Sequence, residues 1–301
     1  MRHCKLFDVA LASALLSWLP AKAEEVKLKQ GGLTLNAELT LADGKALRDG
    51  IVLMVHGTLA HNAMDTIKNL AGVLKERGIS TLAVNLSLGL DDRHGMYDCK
   101  VPHRHKHLDA IGEIGHWVKW LQAKGAGEIT LFAHSRGGNQ ATRYATETAD
   151  PGIKRLVLLA PATFVAKAAA DGFQRTHKRP LAEALAKAEA LVKAGKGAEM
   201  MSKAGLLYCP EADVAAATFV AYYKPDPRFD TPSILHELKV PALVVAGGKD
   251  TVVRGLPERV KPMADGKKLS LGVVGDADHF FLDLYAEDVA DFIEKFLSSG
   301  T

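Results

Sequence analysis

The chain is short of cysteine, of aromatics, of net charge and of long apolar runs, and each shortage narrows what it can be. Aromatic residues make up 6% of the 301 positions while apolar residues make up 48%. That balance suits one ordinary globular domain, with room for an insertion. A formal net charge of +3 is too small to imply a polyanionic partner, so no nucleic-acid partner is expected. No internal repeat and no low-complexity linker interrupts the sequence. The only extended apolar run, Val9 to Leu19, is too short to span a bilayer comfortably, and no stable membrane anchor is expected.

That run has a different meaning. Arg2, His3 and Lys5 precede it, and Pro20 followed by Ala21-Lys22-Ala23 closes it. A basic start, a short apolar stretch and an A-x-A site together read as a secretory signal peptide over residues 1–23, cleaved after Ala23. Its loss lowers the net charge to about +1. The mature chain is then expected in the periplasm or outside the cell. Of the three cysteines, Cys4 leaves with the signal, and Cys99 and Cys209 remain. An even number in an oxidising compartment suggests a bridge between them, against the alternative of two free thiols. Closing so long a loop stabilises by about 4–5 kcal/mol.

Downstream, Val26–Gln30 and Leu33–Leu41 alternate around Gly31-Gly32 and predict an antiparallel hairpin. Ile51–His56 is a continuous apolar run of the kind buried on both faces in parallel sheets. Helical spacing recurs over Asn62–Arg77, Leu108–Leu121 and Asp288–Leu297. Apolar strands are expected at Ile79–Leu86, Ile129–Ala133, Ile153–Leu159, Val240–Ala246 and Lys268–Val274. Strands alternating with helices predict an α/β fold, a mostly parallel sheet covered on both faces. The rhythm breaks over residues 162–236, where helical patterns such as Leu181–Lys193 and Ala212–Tyr223 dominate. This stretch is expected to be a helical cap inserted into a core made of 24–161 and 237–301. A separate helical domain with no bearing on a site is the alternative.

The chemistry centres on Ala133-His134-Ser135-Arg136-Gly137-Gly138. A serine on a strand-to-helix turn, with tiny residues two before and two after, is the nucleophile elbow. The tight turn tolerates only small neighbours, and Ala133 replaces the usual glycine. A serine hydroxyl needs a base, and the base needs an orienting acid. In such sheets candidates follow the carboxyl ends of strands. Asp250 does so in Gly247-Gly248-Lys249-Asp250, and His279 in Asp276-Ala277-Asp278-His279. Asp276 and Asp278 compete for the acid role, and His56 and His134 for the base. The backbone N–H groups of Thr58, after His56-Gly57, and of Arg136 are the candidate oxyanion donors.

Strand-His56-Gly57-Thr58, the Ser135 elbow, Gly248-Lys249-Asp250 and Asp278-His279-Phe280 together resemble the α/β-hydrolase superfamily, over about Val26 to Leu297. The resemblance implies a hydrolase working through an acyl-serine intermediate, with the cap shaping the substrate pocket. The superfamily includes esterases, lipases, thioesterases and serine peptidases. A serine at the elbow argues against its dehalogenase and epoxide hydrolase branches, which use aspartate there. The expected substrate is a small-molecule ester, with an amidase or peptidase as the alternative and a non-catalytic binding protein as the rival from another class. No cofactor is expected. His103, His105 and His107, with His94 nearby, pose a metal question, but Arg104 and Lys106 interleave positive charge and no carboxylate completes the set, so no metal is expected. They are read instead as a solvated entry to the following helix, one or two of them lining the pocket. Arg93, Arg104, Lys178 and Arg179 are candidates for attracting an anionic substrate group, against the alternative of a solvated surface.

Overall fold

The computed structural model describes residues 23–299; the expected signal peptide lies outside them, apart from Ala23. The chain opens with the hairpin β1 (Glu24–Gln30) and β2 (Leu33–Thr40), turning on Gly31 and Gly32 at positive φ. There follow β3 (Ile51–Val55), α1 (Asp65–Glu76), β4 (Thr81–Asn85), α2 (Asp109–Ala123), β5 (Ile129–His134), α3 (Arg136–Thr148) and β6 (Ile153–Leu159). Between β6 and the next sheet strand run α4 (Ala166–His177), α5 (Leu181–Lys193), the short pair β7 (Met200–Met201) and β8 (Val214–Ala215), α6 (Ala216–Tyr223) and α7 (Thr231–Ile234). The chain ends with β9 (Ala242–Gly247), α8 (Leu256–Val260), β10 (Leu269–Val274) and α9 (Tyr285–Ser298).

Eight strands form one sheet in the order β1-β2-β4-β3-β5-β6-β9-β10. β1 and β2 are antiparallel to their neighbours, and every pairing from β4 to β10 is parallel. The continuous apolar runs became the central strands because both faces are covered: β3, β4, β5 and β9 are buried at every residue. Each fully buried Leu, Val or Phe there contributes roughly 1.5–3 kcal/mol. Right-handed crossovers that step outward from β3 to β4 and back across to β5 put α1 on one face and α2 and α3 on the other. α9 packs beside α1, where the Arg77 guanidinium bonds Asp291 at 2.5 Å and Glu287 at 2.7 Å. α1 buries Ile67, Leu70 and Leu74 and stops before Gly78 at φ 76°.

Because the chain moves one way from β3 and the other way from β5, the loops leaving these adjacent strands open a crevice at the carboxyl end of the sheet. A second apolar core lies over that end. It joins Phe173, Ala188, Leu206, Phe219 and Tyr222 from the segment between β6 and β9 with Leu59 and Tyr97 from the loops after β3 and β4. The Cys99–Cys209 disulfide ties the same two regions together. The stretch Ala212–Tyr223 departs from the expected helix in that α6 begins only at Ala216. Val214 and Ala215 are taken up in strand pairing with Met201 and Met200.

Candidate active site

Ser135 sits between β5 and α3 with φ 54° and ψ −122°. A non-glycine residue held there costs about 1–3 kcal/mol, so the surroundings must over-determine it. Its N–H donates to Leu159 O at 3.0 Å, and its carbonyl accepts from Gly138 N–H and Ala162 N–H, both at 2.9 Å. The flanking glycines are demanded by close approach. A Cβ on Gly137 would lie 2.3 Å from His56 O, and one on Gly138 would lie 2.8 Å from Pro161 Cβ. Ala133 fits with no exposed surface, paired with Val55 of β3.

Ser135 Oγ lies 2.8 Å from His279 Nε2, and His279 Nδ1 lies 2.8 Å from Asp250 Oδ2. The three residues leave three different strands and meet above the sheet. Asp250 is held from behind, because its Oδ1 accepts the N–H groups of Val252 at 2.6 Å and Val253 at 3.0 Å. Burial raises its pKa, but the hydrogen bond from His279 and those two amides outweigh that and hold it below the usual aspartate value. The rival acids are occupied elsewhere. Asp276 pairs with Lys249 at 2.7 Å in solvent, and Asp278 accepts Phe280 N–H at 2.8 Å. The loops after β9 and β10 are interlocked, since a Cβ on Gly248 would come within 2.1 Å of Gly275 O and one on Gly247 within 2.6 Å of Ala277 O.

The two rival histidines have supporting positions. His134 donates from Nε2 to the backbone carbonyl of His279 at 2.9 Å. Its ring lies 4.9 Å from that of His279, and burial lowers its pKa to about 3, so it stays neutral. His56 accepts Leu86 N–H at its Nε2 (3.1 Å), which leaves Nδ1–H to donate to Gly57 O at 2.9 Å. In a trans peptide the N–H points opposite the carbonyl. His56 therefore turns the Thr58 N–H away from itself, in a loop so close that a Cβ on Gly57 would lie 3.2 Å from Ser135 Cβ. Arg93, a candidate for attracting substrate, is buried and spent on the same scaffold. It donates to Leu86 O, Gly95 O and Ala60 O and contacts His56 Nε2 at 3.2 Å. Arg179 is likewise engaged with the carbonyls of Lys203 and Ala204.

The histidine tract corrects an expectation. His103, His105 and His107 are buried, not solvated. His103 Nδ1 lies 3.2 Å from His105 Nε2, His105 Nδ1 lies 2.9 Å from the Tyr222 hydroxyl, and His107 Nε2 donates to Asn139 Oδ1 at 3.1 Å. Burial lowers their pKa values to about 4, 3 and 3. His94 is apart from them in solvent, 2.6 Å from Glu25.

A cavity of about 600 Å³ is lined by Arg136, which follows Ser135, and by Ala162, whose N–H bonds the Ser135 carbonyl. Its walls include Ala162, Phe164 and Phe173 from the segment after β6, Tyr222 and Tyr223 of α6, and Val252 from the loop that carries Asp250. Of the histidine tract, His107 is on the wall. Arg136, the residue after the serine, is also there, and the elbow motif carries no sign of a role for its charge.

Residues 52–292 match the profile of the Alpha/beta hydrolase family. The chain belongs to that family. No curated protein matches it. Similar solved α/β-hydrolase structures include Est1E from Butyrivibrio proteoclasticus, at TM-score 0.63 and 18% identity, covering 91% of this chain and 99% of that one. A monoacylglycerol lipase from Paleococcus ferrophilus reaches TM-score 0.59 and 19% identity over 87% of this chain and 98% of its own. A dienelactone hydrolase from Anabaena variabilis reaches 0.55 and 17% over 93% and 98%. At these identities the likeness is one of fold.

Proposed function

We propose that this α/β hydrolase is an exported serine esterase that cleaves a small-molecule carboxylic ester through an acyl-serine intermediate. The observation that carries the reading is the unbroken line from Asp250 through His279 to Ser135, with both hydrogen bonds at 2.8 Å. Ser135 Oγ attacks the ester carbonyl while His279 Nε2 takes its proton, and the Asp250 carboxylate stabilises the imidazolium that forms. The Thr58 and Arg136 N–H groups hold the oxyanion, each worth roughly 3 kcal/mol of barrier. Collapse of the tetrahedral intermediate expels the alcohol, which receives the proton from His279. Water, deprotonated by the same imidazole, then attacks the acyl-serine and releases the acid.

Residues 162–236 act as the cap, since they supply much of the cavity wall and share a core with the loops of the sheet's carboxyl end. The monoacylglycerol lipase and the dienelactone hydrolase named among the similar structures favour an ester over an amide bond. The Cys99–Cys209 bridge supports export, and no helix among the described residues is long and apolar enough to cross a membrane. The test is turnover of p-nitrophenyl esters against aminoacyl arylamides. The expected result is ester hydrolysis that falls by at least about 10³-fold in Ser135→Ala. Preferential cleavage of the arylamides contradicts the ester assignment, and undiminished turnover in the variant contradicts the role of Ser135.

A further inference from the structure

The Arg136 guanidinium has an unusual setting for a charge. Its Nε donates to Thr58 Oγ1 at 3.1 Å, and its planar head stands over the Tyr222 ring, 5.4 Å from the centroid. Among the described residues no carboxylate pairs with it, although an enclosed cation without a counter-charge is costly. The Tyr222 hydroxyl that would otherwise be free to turn is held by the neutral His105, itself backed by His103. His107 on the same wall is tied to Asn139. These buried imidazoles supply hydrogen bonds without adding a negative charge. The cavity that Arg136 enters has a second arginine, Arg254, at its edge and not one aspartate or glutamate on its wall. The rest of that wall is largely apolar, with Phe164, Phe173, Tyr208 and Phe229 among its aromatics.

We infer that Arg136 is a specificity-determining residue that reads a carboxylate on the substrate, so that the ester cleaved is one whose acyl or alcohol arm bears a free carboxyl group on an apolar or aromatic frame. The inference rests on the hydrolase reading above and names the substrate class of that site. The terminal N–H groups of a guanidinium match a carboxylate in a two-pronged geometry that no ammonium reproduces. Stacking on Tyr222 and the bond to Thr58 fix the plane of the fork before substrate arrives, which lowers the ordering cost of binding. The carboxylate completes the ion pair that the protein leaves open.

The test uses matched ester pairs that differ only in the charged group. One pair is p-nitrophenyl hemiglutarate and p-nitrophenyl pentanoate; the other is 3-carboxyphenyl acetate and phenyl acetate. A fluorophosphonate probe reports in parallel whether each protein holds a competent Ser135. The wild-type chain is expected to prefer the anionic member of at least one pair by about tenfold or more in kcat/KM, the scale of one charge-assisted hydrogen bond. Arg136→Gln brings that ratio near unity, and Arg136→Lys keeps part of it. Wild-type protein that takes the probe but shows no anionic preference overturns the inference and leaves the hydrolase reading standing. A preference unchanged in Arg136→Gln overturns the assignment to Arg136. Absence of probe labelling in the wild type overturns the underlying reading itself. A measurement free of variants follows probe labelling of the wild type with phenylacetate or phenylacetamide present. Phenylacetate is expected to slow it more, and equal protection by the two overturns the inference.

Discussion

Ser135, Asp250 and His279 each follow an apolar strand directly, in a local motif with few rivals, and that is why they were legible from residues alone. The parts that were not legible depend on which way a side chain turns after the loops have folded together. His134 and His56 look like spare bases in the sequence, yet one props the His279 carbonyl and the other sets the Gly57–Thr58 peptide. Arg93 looks like a surface cation and is a buried brace. Two expectations follow at this scale. On the proposed mechanism Asp250→Asn removes the charge that stabilises the His279 imidazolium, so kcat for an ester should fall by on the order of 10³–10⁴ with the fold intact by circular dichroism. His134→Phe keeps the ring and deletes the donor to His279, leaving a buried carbonyl unpaired at about 1–3 kcal/mol. Its signature should be a kcat lowered by about tenfold or more with KM little changed, because the substrate cavity is untouched.

Among the elements, the parallel strands were the plainest to read, because strands buried on both faces are apolar throughout. The short β7 and β8 are not legible in the sequence, for a two-residue strand has no periodicity to detect. α4 is equally hard to read, since it buries only Phe173 and so carries almost no apolar stripe. Ala133 was the one flaw in the elbow pattern, and its complete burial against β3 shows why alanine suffices there. The interlocking of the loops after β9 and β10 gives an element-scale expectation. Gly248→Ala would force a methyl to within 2.1 Å of Gly275 O, a backbone atom that cannot step aside cheaply. The two loops must separate, so stability should drop by roughly 1–3 kcal/mol in urea unfolding. Ester turnover should fall with it, because Asp250 and His279 ride on those loops. Retention of full activity would mean that the loops do not set the distance between them.

At the scale of the whole molecule, the helical segment and the sheet are coupled by a covalent bridge and by a second core, and pairing of the cysteines was open from their count alone. Cys99 and Cys209 are 110 residues apart, and closing a loop of that length is worth about 4–5 kcal/mol. Reduction should therefore lower the midpoint of thermal unfolding clearly. Alkylation without reductant should leave both thiols unmodified. The buried imidazoles set a pH dependence. His56, His103, His105, His107 and His134 all have pKa values lowered by burial, to about 3 or 4 from 6.5. The unfolded chain therefore binds protons that the folded chain refuses. Their stabilisation is full above about pH 6.5 and is lost progressively as pH falls towards their folded values. Five such groups correspond to a loss on the order of 5 kcal/mol between pH 7 and 5.5, a large share of the stability of an ordinary domain. A melting series across that range should show a steep decline well before the Asp250 carboxylate begins to protonate.

The account turns on Ser135 as an activated nucleophile, and fluorophosphonate labelling with the modified peptide located by mass spectrometry addresses it most directly. The expected result is one adduct on Ser135, formed rapidly in the wild type, slowed severely in His279→Ala and absent in Ser135→Ala. Labelling that persists in folded Ser135→Ala, or an adduct on another residue, would contradict the account.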